Sequence, residues 1–269
     1  MDLTAVLQQS FMQRALLGGL LIAILCAVIG IFITLRKQSF LSDAVAHASL
    51  SGVAVGLLIS AEPLLPALLV GGLMAVAITY LQNRSTISLD VLIGIFYSIL
   101  FALGVIIINL TPGYQPELFS YLFGSILAIS PADLYTSLVI TLITIALIAV
   151  FYKKLVYIIF DKEAAFIRGI NTTVLEYLIN ILSSITIIIS IKIVGLILVT
   201  ALLIIPATSA KLLAKNFKQM LPLSVLFSLV AIVIGITSSY YLNTPTGATI
   251  VLISGILFLL IFTITRIFK

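Results

Sequence analysis

The sequence predicts an all-α polytopic membrane protein with about 8–9 transmembrane helices. Three observations carry that expectation. The chain is 62% hydrophobic and only 9% charged, whereas ordinary soluble domains are roughly 45–50% apolar and about 25% charged. Its apolar runs are continuous rather than alternating, which suits helices and not the strands of a membrane barrel. A mean hydropathy of +1.34 leaves too little polar sequence to cover a water-facing surface. With 1 Cys in 269 residues, a disulfide scaffold is excluded as well.

The elements follow in order along a single transmembrane domain, 11–269, behind a short N-terminal segment, 1–10. Residues 16–35 are uninterrupted apolar sequence stopped by Arg36 and Lys37. That stretch is too long for a signal-peptide core and no small-residue cleavage site follows, so it reads as a retained first span. Span two, 40–60, is less hydrophobic, carries Asp43 and His47, and ends at Glu62-Pro63. Span three, 64–81, ends at Asn83-Arg84, and span four, 87–110, at the turn Thr111-Pro112-Gly113. Span five, 134–151, is stopped by Lys153 and Lys154. Residues 174–191 and 193–210 are nearly continuous, parted only around Lys192 and Gly195. With 221–241 and 248–264 the total is about nine spans, or eight if one segment only dips into the bilayer.

Orientation follows from the basic residues. Alternating the spans puts Arg36, Lys37, Arg84, Lys153, Lys154, Lys162, Arg168, Lys211, Lys215, Lys218, Arg266 and Lys269 on one side. Of the 14 basic residues only Arg14 and Lys192 fall on the other. The basic side is therefore expected to be cytoplasmic, and Glu62, Glu117 and Asp133 fall opposite. The net charge of +5 is topological and calls for no nucleic acid. No G-x-x-x-x-G-K-[ST] loop occurs, so the chain cannot supply its own nucleotide hydrolysis.

Polar residues are scarce enough to examine singly. Asp43 and the sole histidine, His47, are four apart and share one helical face. His47 sits roughly 15 Å in from Lys37, near the bilayer midplane. A carboxylate at that depth costs at least ~2.5–3.5 kcal/mol unless it faces an interior, a cavity or a partner. A carboxylate oxygen and an imidazole nitrogen at this spacing can share one divalent ion of the zinc or manganese kind. The pair supplies two ligands, leaving the rest to other helices, water or a second copy of the chain. The structural alternative is a backbone-bonded Asp43 and an interhelical hydrogen bond from His47. Ala44, Ala48, Ser51, Gly52 and Gly56 form a small-residue face suited to close helix packing. Asp90, in the first turn of its span behind Ser88, reads as a helix cap and dipole partner. Pro206 kinks its span, as a hinge or as packing.

Two segments lie outside the spans. In 160–171, Asp161 reads as an N-cap, Lys162 to Arg168 as a short helix and Gly169 as its stop. Its mixed charge favours docking on a soluble partner over lying in lipid. On the opposite side, 117–127 is apolar but short and reads as a re-entrant or interfacial helix near the outer mouth.

Five stretches appear in a telling order: FLSDAVAHASLSGVAVG (40–56) after LRKQS, LFSYLFGSILAIS (118–130), FDKEAAFIRGIN (160–171), VGLILVTALLIIPATSAKLL (194–213) and SSYYLNTPTGATIVL (238–252). Together they closely resemble the membrane permeases of bacterial zinc/manganese/iron ABC importers, the ABC-3 permease family, from about residue 11 to the C-terminus. The resemblance implies a type II-like ABC importer permease that is multi-pass in the bacterial cytoplasmic membrane and is not itself an enzyme. It implies a homodimer, two copies of a separate cytoplasmic ATPase that uses the ATP, and an extracytoplasmic metal-binding protein. It implies no permanently bound cofactor. The transported ion would be a divalent metal, zinc or manganese, with iron open, passing Asp43 and His47. The segment Asp161, Lys162, Glu163, Ala164, Phe166, Arg168 and Gly169 looks like the helix that seats in the ATPase, and Phe119 to Leu127 like part of the outer gate. Many relatives carry an Asp, and often a His, at the end of the penultimate span, where this chain has Tyr241 and Asn243. Those are weaker ligands for a divalent ion. A transient two-ligand relay or a site shared across the dimer is therefore expected.

Three other readings compete. An iron–siderophore or cobalamin permease of the same mechanical type needs a wider cavity and no paired ligands. A secondary transporter driven by an ion gradient needs no ATPase. An intramembrane enzyme fits least, for want of a nucleophile motif or a second deep carboxylate.

Overall fold

A computed structural model describes residues 9–111 and 129–267 of the chain. Within them lie ten helices: α1 (Ser10–Leu35), α2 (Ser39–Leu58), α3 (Leu64–Arg84), α4 (Leu89–Leu110), α5 (Pro131–Phe160), α6 (Lys162–Ile167), α7 (Thr172–Val194), α8 (Leu196–Leu213), α9 (Phe217–Leu242) and α10 (Thr246–Ile267). All but α6 are long and apolar enough to cross a membrane, giving 9 spans among the described residues. The protein is thus an all-α polytopic membrane protein. The 117–127 segment expected at the outer mouth falls outside the described residues.

Helix limits are set by local chemistry. The Asn216 side chain accepts the Gln219 N–H at 3.0 Å and opens α9, and Asn243 closes it in the left-handed region, φ 51°. Between α7 and α8, Gly195 adopts φ 84° and ψ 160°, a backbone state that a side chain would oppose. Lys37 also has positive φ, 58°, in the tight turn joining α1 to α2. Helix α5 is longer than its apolar run: it continues through Lys153 and Lys154 to Phe160. Lysine is a good helix former, so it ends the apolar run without ending the helix.

The chain divides into two compact units. Among the described residues, one comprises 9–34, 129–143 and 190–267. There α8, α9 and α10 pack on one another. Gly30 of α1 lies against the Leu203 backbone of α8, so closely that a Cβ would collide with the Leu203 carbonyl. Phe32 meets Phe217 edge-on at 6.0 Å. Ser224 donates to the Ala27 carbonyl at 3.2 Å.

The other unit comprises 35–111 and 144–189 of the described residues. Its centre is α2, which packs on both α3 and α4. Close approach is possible because Gly52 faces α3: a Cβ there would lie 2.5 Å from both the Ala67 Cα and the Pro66 carbonyl oxygen. On the α4 side, Ser51 hydrogen-bonds the Leu100 carbonyl beside Gly104. The small-residue face of α2 therefore fixes the helix that carries Asp43 and His47.

Candidate functional site

Asp43 and His47 sit one turn apart on α2, as their spacing requires. The His47 Nδ1 lies 2.9 Å from the Asp43 main-chain carbonyl and 3.7 Å from Asp43 Oδ1. A carbonyl only accepts, so Nδ1 is the donor in that contact. In the neutral ring this leaves Nε2 with its lone pair, ready to coordinate a cation. The carboxylate and the imidazole are therefore not locked to each other: the ring is oriented by backbone, and the Asp43 side chain is 54% exposed.

Two aromatic residues of α4 complete the setting. Tyr97 and Phe101 meet the His47 ring edge-on at 5.2 and 5.9 Å, and they stack on each other at 5.9 Å. Beside them is a cavity of about 410 Å³, lined by Phe40, Asp43 and Ala44 of α2 and by Asp90, Ile93 and Tyr97 of α4. Asp90 occupies the first turn of α4, where it does complement the dipole, and it also places a second carboxylate on the Asp43 cavity. Among the described residues no three His, Cys, Asp or Glu side chains gather into one metal-binding group.

Tyr241 and Asn243 belong to the other unit. Asn243 caps α9, donating its N–H to the Ser239 carbonyl, and lines a cavity of about 250 Å³ with Ser239, Tyr240 and Thr246. Tyr241 is half exposed and meets Tyr240 edge-on at 5.8 Å.

Helix α6 is held at both ends. Asp161 Oδ1 accepts the Ala164 N–H at 2.8 Å, a cap of the kind that stabilises a helix start by about 1 kcal/mol. Gly169, φ 75°, turns the chain out of it. Ala165 is buried beneath the helix, and the Arg168 guanidinium stands 4.9 Å over the Tyr157 ring. Glu163 is exposed. Phe166 and Ile167 are 71% and 83% exposed, an apolar edge on a polar segment.

Sequence reasoning did not single out Glu176, although an acidic residue in an otherwise apolar span is a signal in itself. It is buried at 4% exposure. Lys162 Nζ, from α6, lies 2.6 Å from Glu176 Oε1, and Arg36 Nη2 approaches the same oxygen at 3.9 Å. Arg36 also donates to Asn180 Oδ1 at 3.0 Å, and Asn180 donates to Thr79 Oγ1 of α3 at 2.8 Å. Burial pushes the Arg36 pKa below the usual guanidinium value, and the Glu176 carboxylate opposes that shift. In the other unit, Lys192 Nζ pairs with Asp133 Oδ1 at 3.1 Å, and Ser130 donates to Asp133 Oδ2 at 2.6 Å.

With nine apolar helices among the described residues, Asp43 and His47 one turn apart on the second of them and a short capped helix after the fifth, the chain is a multi-pass membrane protein. The comparison with known proteins narrows the class. The model of the ABC 3 transport family matches residues 8–265, and the chain belongs to that family. It is 36% identical over 260 residues to the "Manganese transport system membrane protein MntC" of Listeria monocytogenes, covering 97% of this chain and 92% of the relative. It is 31% identical over 246 residues to the "High-affinity zinc uptake system membrane protein ZnuB" of Haemophilus influenzae, covering 91% and 94%. Among solved structures it is similar to "PsaBC from Streptococcus pneumoniae in complex with Fab", with a TM-score of 0.86, 34% identity, and 96% and 93% of the two chains covered.

Proposed function

We propose that this chain is the permease subunit of an ATP-binding-cassette importer that carries a divalent transition metal ion, manganese or zinc, across the bacterial cytoplasmic membrane. The observation that carries the reading is the Asp43–His47 pair on the second span of an ABC-3 family chain, with Nε2 of the imidazole left open. Two copies of the permease work with two copies of a separate ATPase and with an extracytoplasmic protein that delivers the ion. The ion enters at the outer mouth and passes His47 and Asp43 in turn. Phe166 and Ile167 offer the ATPase an apolar edge on α6, so closure of the ATPases on ATP is felt by the permease through that helix. With two side-chain ligands per chain, binding is transient, completed by water or by the second copy. Weak binding suits a pathway, because the ion must leave as well as enter.

Manganese is the first ion to assay, since the manganese relative has the higher identity of the two compared. Asp and His suit zinc equally, and geometry rather than affinity order selects between them. The test is uptake by proteoliposomes holding the permease with its ATPase, supplied with the metal-loaded delivery protein. Labelled manganese or zinc should accumulate only when ATP is present. Accumulation without ATP points to a secondary transporter, and uptake of a metal chelate but not the free ion overturns the metal reading.

A further inference from the structure

Glu176 is a buried carboxylate to which the permease reading assigns no task. It sits on the first turns of α7, at 4% exposure, with one oxygen shared by two cations from different elements. The Lys162 contact, 2.6 Å, reaches into α6 from its first residue. The Arg36 contact, 3.9 Å, reaches the turn between α1 and α2. Arg36 is also held by Asn180, one turn further along α7, at 3.0 Å. Next to Arg36, Lys37 has φ 58° in the short turn that leads directly into α2. Ser39 then opens α2, whose next turns carry Asp43 and His47.

A buried ion pair is a poor source of stability, because desolvation offsets the attraction. Removing one partner is nonetheless strongly destabilising, because it leaves the other charge buried and uncompensated. Glu176 Oε2 has no hydrogen-bond partner among the described residues, so both cations are held through Oε1.

We propose that Glu176 is a positioning residue that ties α6 to the Arg36–Gln38 turn, so that a displacement of α6 shifts the start of the helix bearing Asp43 and His47. The inference rests on the ATPase-driven permease reading, with α6 as the element the ATPase moves. It deepens that reading by naming the residues that carry the motion inward.

The test measures metal ions imported per ATP hydrolysed in proteoliposomes of the assembled permease–ATPase complex, with copurified ATPase as the control for assembly. Glu176→Gln should lower that ratio by roughly 2–30-fold, the span expected of substitutions along a coupling network. Lys162→Met, at a half-exposed side chain, should lower it comparably, and Lys162→Arg should restore it. The double variant should lose no more than the worse single one, since the two side chains act as one link. A merely structural role lowers uptake and hydrolysis together and leaves the ratio unchanged. A wild-type ratio in either single variant, or multiplied losses in the double, overturns the inference. If Glu176→Gln does not assemble, the Lys162→Met and Lys162→Arg pair decides alone. Absence of ATP-dependent uptake in the wild-type complex would instead refute the permease reading itself.

Discussion

Replacing His47 by residues that mimic one ring nitrogen at a time separates coordination from packing. Nδ1 is engaged by the Asp43 carbonyl at 2.9 Å, so the nitrogen left open to a cation is Nε2. Gln places its terminal oxygen or nitrogen near the Nε2 position, whereas Asn places its polar atom near Nδ1, where the helix carbonyl already waits. The expected order of uptake is therefore wild type, then His47→Gln, then His47→Asn and His47→Ala together. Even outer partners of metal ligands change affinity by about 10–100-fold when removed, so losing the imidazole should raise the half-saturating metal concentration by at least ~10-fold, or ~1.4 kcal/mol. Because the ring also rests on Tyr97 at 5.2 Å, thermal unfolding of the purified complex is measured alongside, to remove any effect of the void. The assay is the initial rate of labelled manganese and zinc uptake against free metal. If His47→Asn outperforms His47→Gln, Nδ1 is the coordinating atom and the tautomer argument is wrong.

Further outcomes are expected from the packing of α2 and from the cap of α6. Gly52→Ala brings a Cβ to within 2.5 Å of backbone in α3 and should destabilise the protein by about 1–3 kcal/mol. Gly72→Ala meets nothing within 4 Å and should be neutral or slightly stabilising by thermal unfolding in detergent. Equal melting temperatures for the two would contradict the close α2–α3 approach. Asp161→Ala removes the side-chain acceptor of the Ala164 N–H and should cost α6 about 1 kcal/mol, weakening copurification of the ATPase, while Asp161→Ser keeps most of it. Equal copurification in the two variants would separate the cap from docking.

Much of the fold was legible because lipid imposes a length and a polarity on each span. The nine-span expectation agrees with the 9 apolar helices found among the described residues. The capped helix in 160–171 was readable from Asp161 and Gly169, since both act through their own backbone. Helix ends were less legible where polarity and helicity part company, as at Lys153 and Lys154, which end the apolar run but not the helix. The spacing of Asp43 and His47 placed them on one face, but not which ring nitrogen is free, because the competing acceptor is a main-chain carbonyl common to every residue. Asp90 has a plain local explanation as a dipole partner that concealed its place on the Asp43 cavity. The Arg36, Asn180 and Glu176 cluster joins residues more than a hundred positions apart, and one sequence holds no signal for such a pairing.

The most direct measurement of the central claim is ATP-driven manganese uptake by the reconstituted complex carrying Asp43→Ala and His47→Ala together. The expected result is assembly with the ATPase as in the wild type and uptake reduced to background. Wild-type uptake in that double variant would show that the ion takes another path.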